Sequence, residues 1–333
     1  MPDGGYDAAR AAHHRAGPEG VGSRGLDALK TKAAAPRGSM AFAAIVLTVL
    51  SGLLYVLGYA LSKEVVTHHG LSPLQVTFLR CVVILLVGLG ATAWPGNSMT
   101  WRRLLRPERA WEQRAAAAAL VVSNALAVFA YTLLPVTAAS ALGFTAPLLL
   151  ALLAGLFLHE RVALGRWLGT ALGFIGMLLI VRPGGEASLP GIAAAFAGAL
   201  TYAMYQIFIR RLREVATTLD TILQVALVGV VLLALPVAAD WRPVGLVSAG
   251  LVVVVTLVQT AALASIAAAL HQGEASRLAP WQFSGLLWAM ALDGLVLHAA
   301  PTPGGLLGAL FVIGGGVLAQ MLKARKAAGQ DKP

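Results

Sequence analysis

Two charged side chains of this 333-residue chain stand where charge is expensive. Arg80 falls inside the apolar run 72–94 and Asp293 inside the run 275–298. Both runs are near the ~20 residues that cross a bilayer, and an ionisable group within such a run is a functional candidate by default. At 1.5 Å per residue, Arg80 lies about 12 Å and Asp293 about 7–8 Å from one and the same face. A pair between them is therefore open. The competing reading lets Arg80 snorkel to headgroups while Asp293 meets water.

Four uncharged polar residues fall near the middle of other runs: Ser51, Asn124, Thr201 and Gln259. A polar group unpaired in hydrocarbon costs several kcal/mol, so each must face protein or water. The bland alternative is hydrogen bonding within or between helices, and hydroxyls readily bond back to the carbonyl one turn earlier. Together the four are expected to line a cavity. Tyr55, Tyr131, Tyr205 and Trp288 are the aromatic residues placed to form its rim. Tyr55 stands one turn from Ser51, and Tyr205 one turn from Thr201, so each pair shares a helix face. Trp94, Trp241 and Trp281 read instead as an interfacial belt.

Other chemistry-bearing residues fit ordinary roles. His159-Glu160-Arg161 makes a tight polar turn with interfacial charges, and His13-His14 and His68-His69 lack the further ligands of a metal site. The glycines at 165, 169, 173, 176, 304, 308 and 315 suit close helix packing. They are no phosphate loop, since no strand or Lys-Ser/Thr accompanies them.

These residues need helices that cross a membrane. The chain is 58% hydrophobic and only 12% charged, too apolar for a soluble domain. Ten spans are expected, at roughly 40–62, 72–94, 115–134, 136–158, 163–182, 190–210, 219–239, 246–270, 275–298 and 304–322. Residues 1–39 read as a disordered arm, and Trp101 to Arg114 as a basic amphipathic linker. The first apolar run is too long for a cleaved leader. The chain divides into 40–182, a linker 183–189 and 190–322, with a tail from 323 to 333.

Of the 25 Lys and Arg, 21 fall on the side of the N-terminus. That bias puts both termini in the cytoplasm and explains the net charge of +10 without nucleic acid. The single cysteine, Cys81, excludes an internal disulfide.

The chain also repeats itself. His159, Gly169 and Gly176 align without gaps with His298, Gly308 and Gly315, 139 residues later. Leu50-Ser51-x-x-x-Tyr55 recurs as Leu200-Thr201-x-x-x-Tyr205, and Pro147 answers Pro280. Five spans per copy is an odd number, so the copies insert upside down relative to each other, as in secondary transporters with a midplane site.

The Ala-Ser…Pro…His-Glu-Arg…Leu-Gly…Gly pattern, the Ser72-Pro73…Phe78-Leu79-Arg80 opening of span two and the two five-span halves resemble the drug/metabolite transporter superfamily, EamA type. The resemblance runs from about Met40 to Leu322. It implies ten helices around a central cavity walled by spans one, three, four, six, eight and nine. Ala299 stands opposite Glu160, so the loop carboxylate that the family often repeats is missing from the second half.

The expected function is secondary transport of a small metabolite through that cavity, outward across a bacterial inner membrane, with no cofactor. Expected partners are the solute, the bilayer and protons, and the protein is a monomer or weak homodimer. Small four-span relatives bind cations at a Glu in their first span, which this chain lacks. Arg80 therefore points to a carboxylate-bearing solute such as an amino acid, and Asp293 to proton coupling. The alternative, a multispan enzyme on a lipid-linked substrate, should cluster acids or histidines at one face, and no loop offers such a cluster.

Overall fold

The computed structural model describes residues 38–92, 104–146, 149–150, 153, 164–181, 188–212, 214–272, 278, 281–296 and 302–330. These form helices and no strand. Ten helices are bounded among them: α1 (Gly38–Thr67), α2 (Pro73–Thr92), α3 (Ala110–Leu133), α4 (Val136–Gly143), α5 (Leu164–Val181), α6 (Leu189–Leu212), α7 (Thr218–Ala239), α8 (Leu246–Gln272), α9 (Ser284–Leu295) and α10 (Pro303–Gln330). Six are long and apolar enough to cross a membrane: α1, α2, α3, α6, α7 and α8. Shorter apolar segments lie in α5, α9 and α10.

Local chemistry sets the helix starts. Ser72, Ser188 and Thr302 each accept a hydrogen bond from the backbone N–H three residues on, at Gln75 (3.1 Å), Gly191 (3.4 Å) and Gly305 (3.1 Å). In two of the three, proline follows at the first helical position, where its missing N–H costs nothing. Thr217 and Asp220 cap α7 reciprocally.

Several ends differ from the sequence expectation. α1 runs on to Thr67 and α10 to Gln330, because Lys63, Glu64 and the Lys323–Lys326 segment are good helix formers beyond the apolar run. α3 starts at Ala110, so Arg114 belongs to the helix rather than to the linker before it. α4 ends at Gly143, followed by a turn at Phe144 and Thr145. Pro147 has no N–H to offer the Gly143 carbonyl, which favours a break there. α9 likewise starts only at Ser284, after a turn at Phe283. The second part of span four, the His159-Glu160-Arg161 turn, the arm up to residue 37 and the linker 183–187 lie outside the described residues.

The halves interlock rather than sit side by side. The most extensive packing joins α5 to α10, α3 to α6 and α1 to α8, and α2 packs on α7 and α4 on α9. Exchanging first-half helices for their second-half counterparts maps this set of pairs onto itself. The repeated glycines make it concrete. A Cβ on Gly308 would stand 2.5 Å from the Gly176 carbonyl oxygen, and one on Gly315 2.5 Å from that of Gly169. Gly169 and Gly176 are the repeat partners of Gly308 and Gly315, so one contact is the other's symmetry mate. With little hydrophobic drive between helices in lipid, this close backbone approach is what holds α5 to α10.

Candidate functional site

A cavity of about 360 Å³ opens where the halves meet. Its wall is drawn from α1, α3, α4, α6, α8 and α9 with the residues just before it, the six helices that the resemblance implies. None of its described lining residues is charged. The central feature is aromatic. The Tyr59 and Tyr131 rings stack with centroids 4.8 Å apart and planes 9° from parallel, and Tyr55 meets Tyr59 edge-on at 4.9 Å. α1 brings Tyr55 and Tyr59 together because residues four apart share a face. Across the cavity, the rings of Phe144 and Phe283 lie 5.7 Å apart, one at each break in the two fourth helices.

Hydrogen bonds fix this wall. Tyr131 and Ser140 share one between hydroxyls at 2.8 Å. The Tyr59 hydroxyl donates to Asn124 Oδ1 at 2.9 Å. Ser51 Oγ donates to the Ala262 carbonyl at 2.8 Å, stitching α1 to α8, and Ser123 Oγ does the same from α3 to Gly198 of α6 at 2.8 Å.

Of the residues expected from sequence, Ser51, Tyr55 and Tyr131 line the cavity. Asn124 stands behind it as the partner of Tyr59. Thr201 bonds back to Ala197 (2.9 Å) and Gly198 (3.0 Å) of its own helix, and Trp288 donates to the Val49 carbonyl at 3.3 Å. Tyr205 packs on Tyr202, which is itself a lining residue. Gln259 bonds Arg80. Sequence reasoning passed over Tyr59, Ser123, Ser140, Tyr202, Gln206 and Gln282 of the wall. The Tyr55-x-x-x-Tyr59 spacing was the available signal for the first of these.

Arg80 and Asp293 do not pair. Both carboxylate oxygens of Asp293, which is 5% exposed, accept backbone N–H groups at the start of α4: Val136 at 3.0 Å and Thr137 at 2.6 Å. From the other side, Lys63 Nζ donates to the Leu134 carbonyl at 3.0 Å, at the end of α3. The α3–α4 corner is thus gripped by an anion at a helix start and a cation at a helix end, the arrangement that helix dipoles favour. His68 lies exposed in the turn just after α1, 3.0 Å from Glu64.

The profile of the EamA-like transporter family matches residues 42–182 and again 189–320. Among curated proteins, the chain is 26% identical over 186 residues to an S-adenosylmethionine uptake transporter of Rickettsia conorii, covering 56% of this chain and 63% of that one. It is 31% identical over 192 residues to a riboflavin transporter of Vibrio cholerae, covering 54% and 60%. The chain thus spans about three-fifths of the length of these relatives. A solved crystal structure superposes with a TM-score of 0.56 at 21% identity, over 83% of this chain and 98% of that one, which supports the fold.

Proposed function

Because the chain belongs to the EamA-like transporter family, we propose that it carries a small metabolite across the membrane through the cavity between its halves. The family is one of transporters rather than enzymes, so the alternative of a membrane enzyme is set aside. In this proposal all ten helices span the bacterial inner membrane as two inverted repeats, with both termini in the cytoplasm. The observation that carries the reading is the uncharged, tyrosine-stacked cavity at the junction of the repeats. Stacked phenol rings favour a flat ring in the solute, while the serine hydroxyls and glutamine amides supply polar contacts. Both substrates named for the relatives contain such a ring system.

Direction in this proposal follows the relatives named for uptake, in place of the outward movement expected from sequence. Alternating access would come from rocking of the interlocked halves about the fixed site. Coupling, in the same reading, runs through Asp293. Its carboxylate caps the start of α4 at Val136, four residues ahead of Ser140 on the cavity wall.

The test compares the metabolite content of cells with and without the protein, and then the uptake of any differing solute into vesicles. Solutes that change with the wild type but not with a cavity variant support the reading. Identical profiles with and without the protein overturn it.

A further inference from the structure

Beside the tyrosine wall lies a buried charge that no carboxylate among the described residues balances. Arg80, on α2, is 8% exposed. Its Nη2 donates to Gln259 Oε1 on α8, while Nε and Nη1 are buried without a hydrogen-bond partner. Among the described residues no carboxylate forms an ion pair with this guanidinium. Asp293, the acid that depth alone set beside it, is engaged with the backbone of α4.

Gln259 is itself half satisfied, its Nε2 buried and unpartnered. Its side chain lies over Gly58 of α1, where a Cβ would collide with it. Three helices therefore converge on two polar side chains that keep three nitrogen donors unmet. A buried guanidinium without an anion is strongly unfavourable, and orphaned buried donors in native proteins call for a ligand. The ligand chemistry follows from the donors, since guanidinium and amide N–H groups select an oxyanion and guanidinium matches carboxylate best. The place follows from the neighbours, because Gly58, over which the Gln259 side chain lies, directly precedes Tyr59 of the cavity wall and follows Tyr55 by three residues.

We propose that Arg80 and Gln259 form an oxyanion subsite beside the central cavity, which takes the carboxylate of the transported solute while the tyrosines take its apolar or ring portion. This rests on the transport reading of the cavity and names the class of solute.

The experiment uses the full chain purified into phosphatidylcholine nanodiscs. Thermal stability is measured with a panel of small carboxylates, with and without an aromatic ring, each paired with its primary amide. At least one acid should stabilise the protein with at least tenfold higher apparent affinity than its amide. Arg80→Gln should abolish that preference, and Arg80→Lys should keep it with weaker affinity. Without ligand, Arg80→Gln should melt no lower than the wild type, because it removes an uncompensated charge; a structural arginine would make it melt lower.

The proposal is overturned if acids and amides bind alike throughout the panel, or if Arg80→Gln keeps the preference. It is also overturned if phosphatidylglycerol in the discs, rather than any carboxylate, gives the Arg80-dependent stabilisation, since the site then holds a lipid headgroup. Transport that persists without carboxylate selectivity sinks the subsite alone. Absence of any transport sinks the function on which it rests.

Discussion

Tyr55 keeps 47% of its surface exposed although it lies on a helix packed against five others, because it faces the cavity. Removing its ring should cost the solute a stacking contact worth about 0.5–1.5 kcal/mol, up to roughly a tenfold loss of affinity. Tyr55→Ala is therefore expected to raise the KM for transport while membrane abundance stays near that of the wild type. Unchanged KM with lost abundance would make the ring structural. Asn124 behaves differently. Asn124→Leu leaves the Tyr59 hydroxyl without its acceptor, a loss of about 1–3 kcal/mol, so the melting temperature and transport should fall together. Thr201 spends its hydroxyl on its own helix and Gln259 spends its carbonyl oxygen on Arg80. Position within an apolar run was legible for all four residues read as midplane. Which way each side chain turned was not, because that depends on neighbouring helices distant in sequence, 65 residues away in the Tyr59–Asn124 bond and 211 in the Ser51–Ala262 bond.

At the scale of elements, α5 and α10 owe their contact to glycine. Gly308→Val would drive a branched side chain into the Gly176 carbonyl, and overpacking of this kind costs about 1–3 kcal/mol. Abundance and melting temperature should drop, with any folded fraction retaining the wild-type KM. Normal abundance would show that the helices can slide apart without penalty. The α3–α4 corner makes a second prediction. Asp293→Asn can accept only one of the two backbone N–H groups through its oxygen, at a cost of about 1 kcal/mol. If coupling runs through Asp293, the variant also loses the response of vesicle uptake to an imposed pH gradient while downhill exchange continues. A variant that is less stable but still responds to the gradient would leave Asp293 as a cap alone.

For the whole molecule, the lysine and arginine bias predicts the orientation of both repeats. A periplasm-active reporter fused after Lys326 should be silent and one fused at Gly184 active. The reverse pattern would invert every depth assigned here. The interlocking of the halves adds a consequence that a side-by-side arrangement would not have. Residues 40–182 expressed alone would leave the α1 and α3 faces that meet α8 and α6 without partners, so neither half should be stable without the other.

Composition, apolar run length and the gapless echo pointed to a helical membrane chain built of two repeats, since bilayer thickness and backbone hydrogen bonding leave few other solutions, and the motif resemblance supplied the EamA-like family that the profile match shows. The glycines of spans five and ten were legible as close-packing positions, though not that they pack on each other. Only the tertiary structure decided the site. It separated Arg80 from Asp293, gave one a glutamine and the other a helix start, and assembled the wall from Tyr55 and Tyr131, which a one-dimensional reading had treated as a rim, and from Tyr59, which it had passed over. The physical reason is that a run of apolar residues specifies depth but not rotation or partner. Around a helix in lipid those are set by side-chain packing and hydrogen bonds between elements distant in sequence.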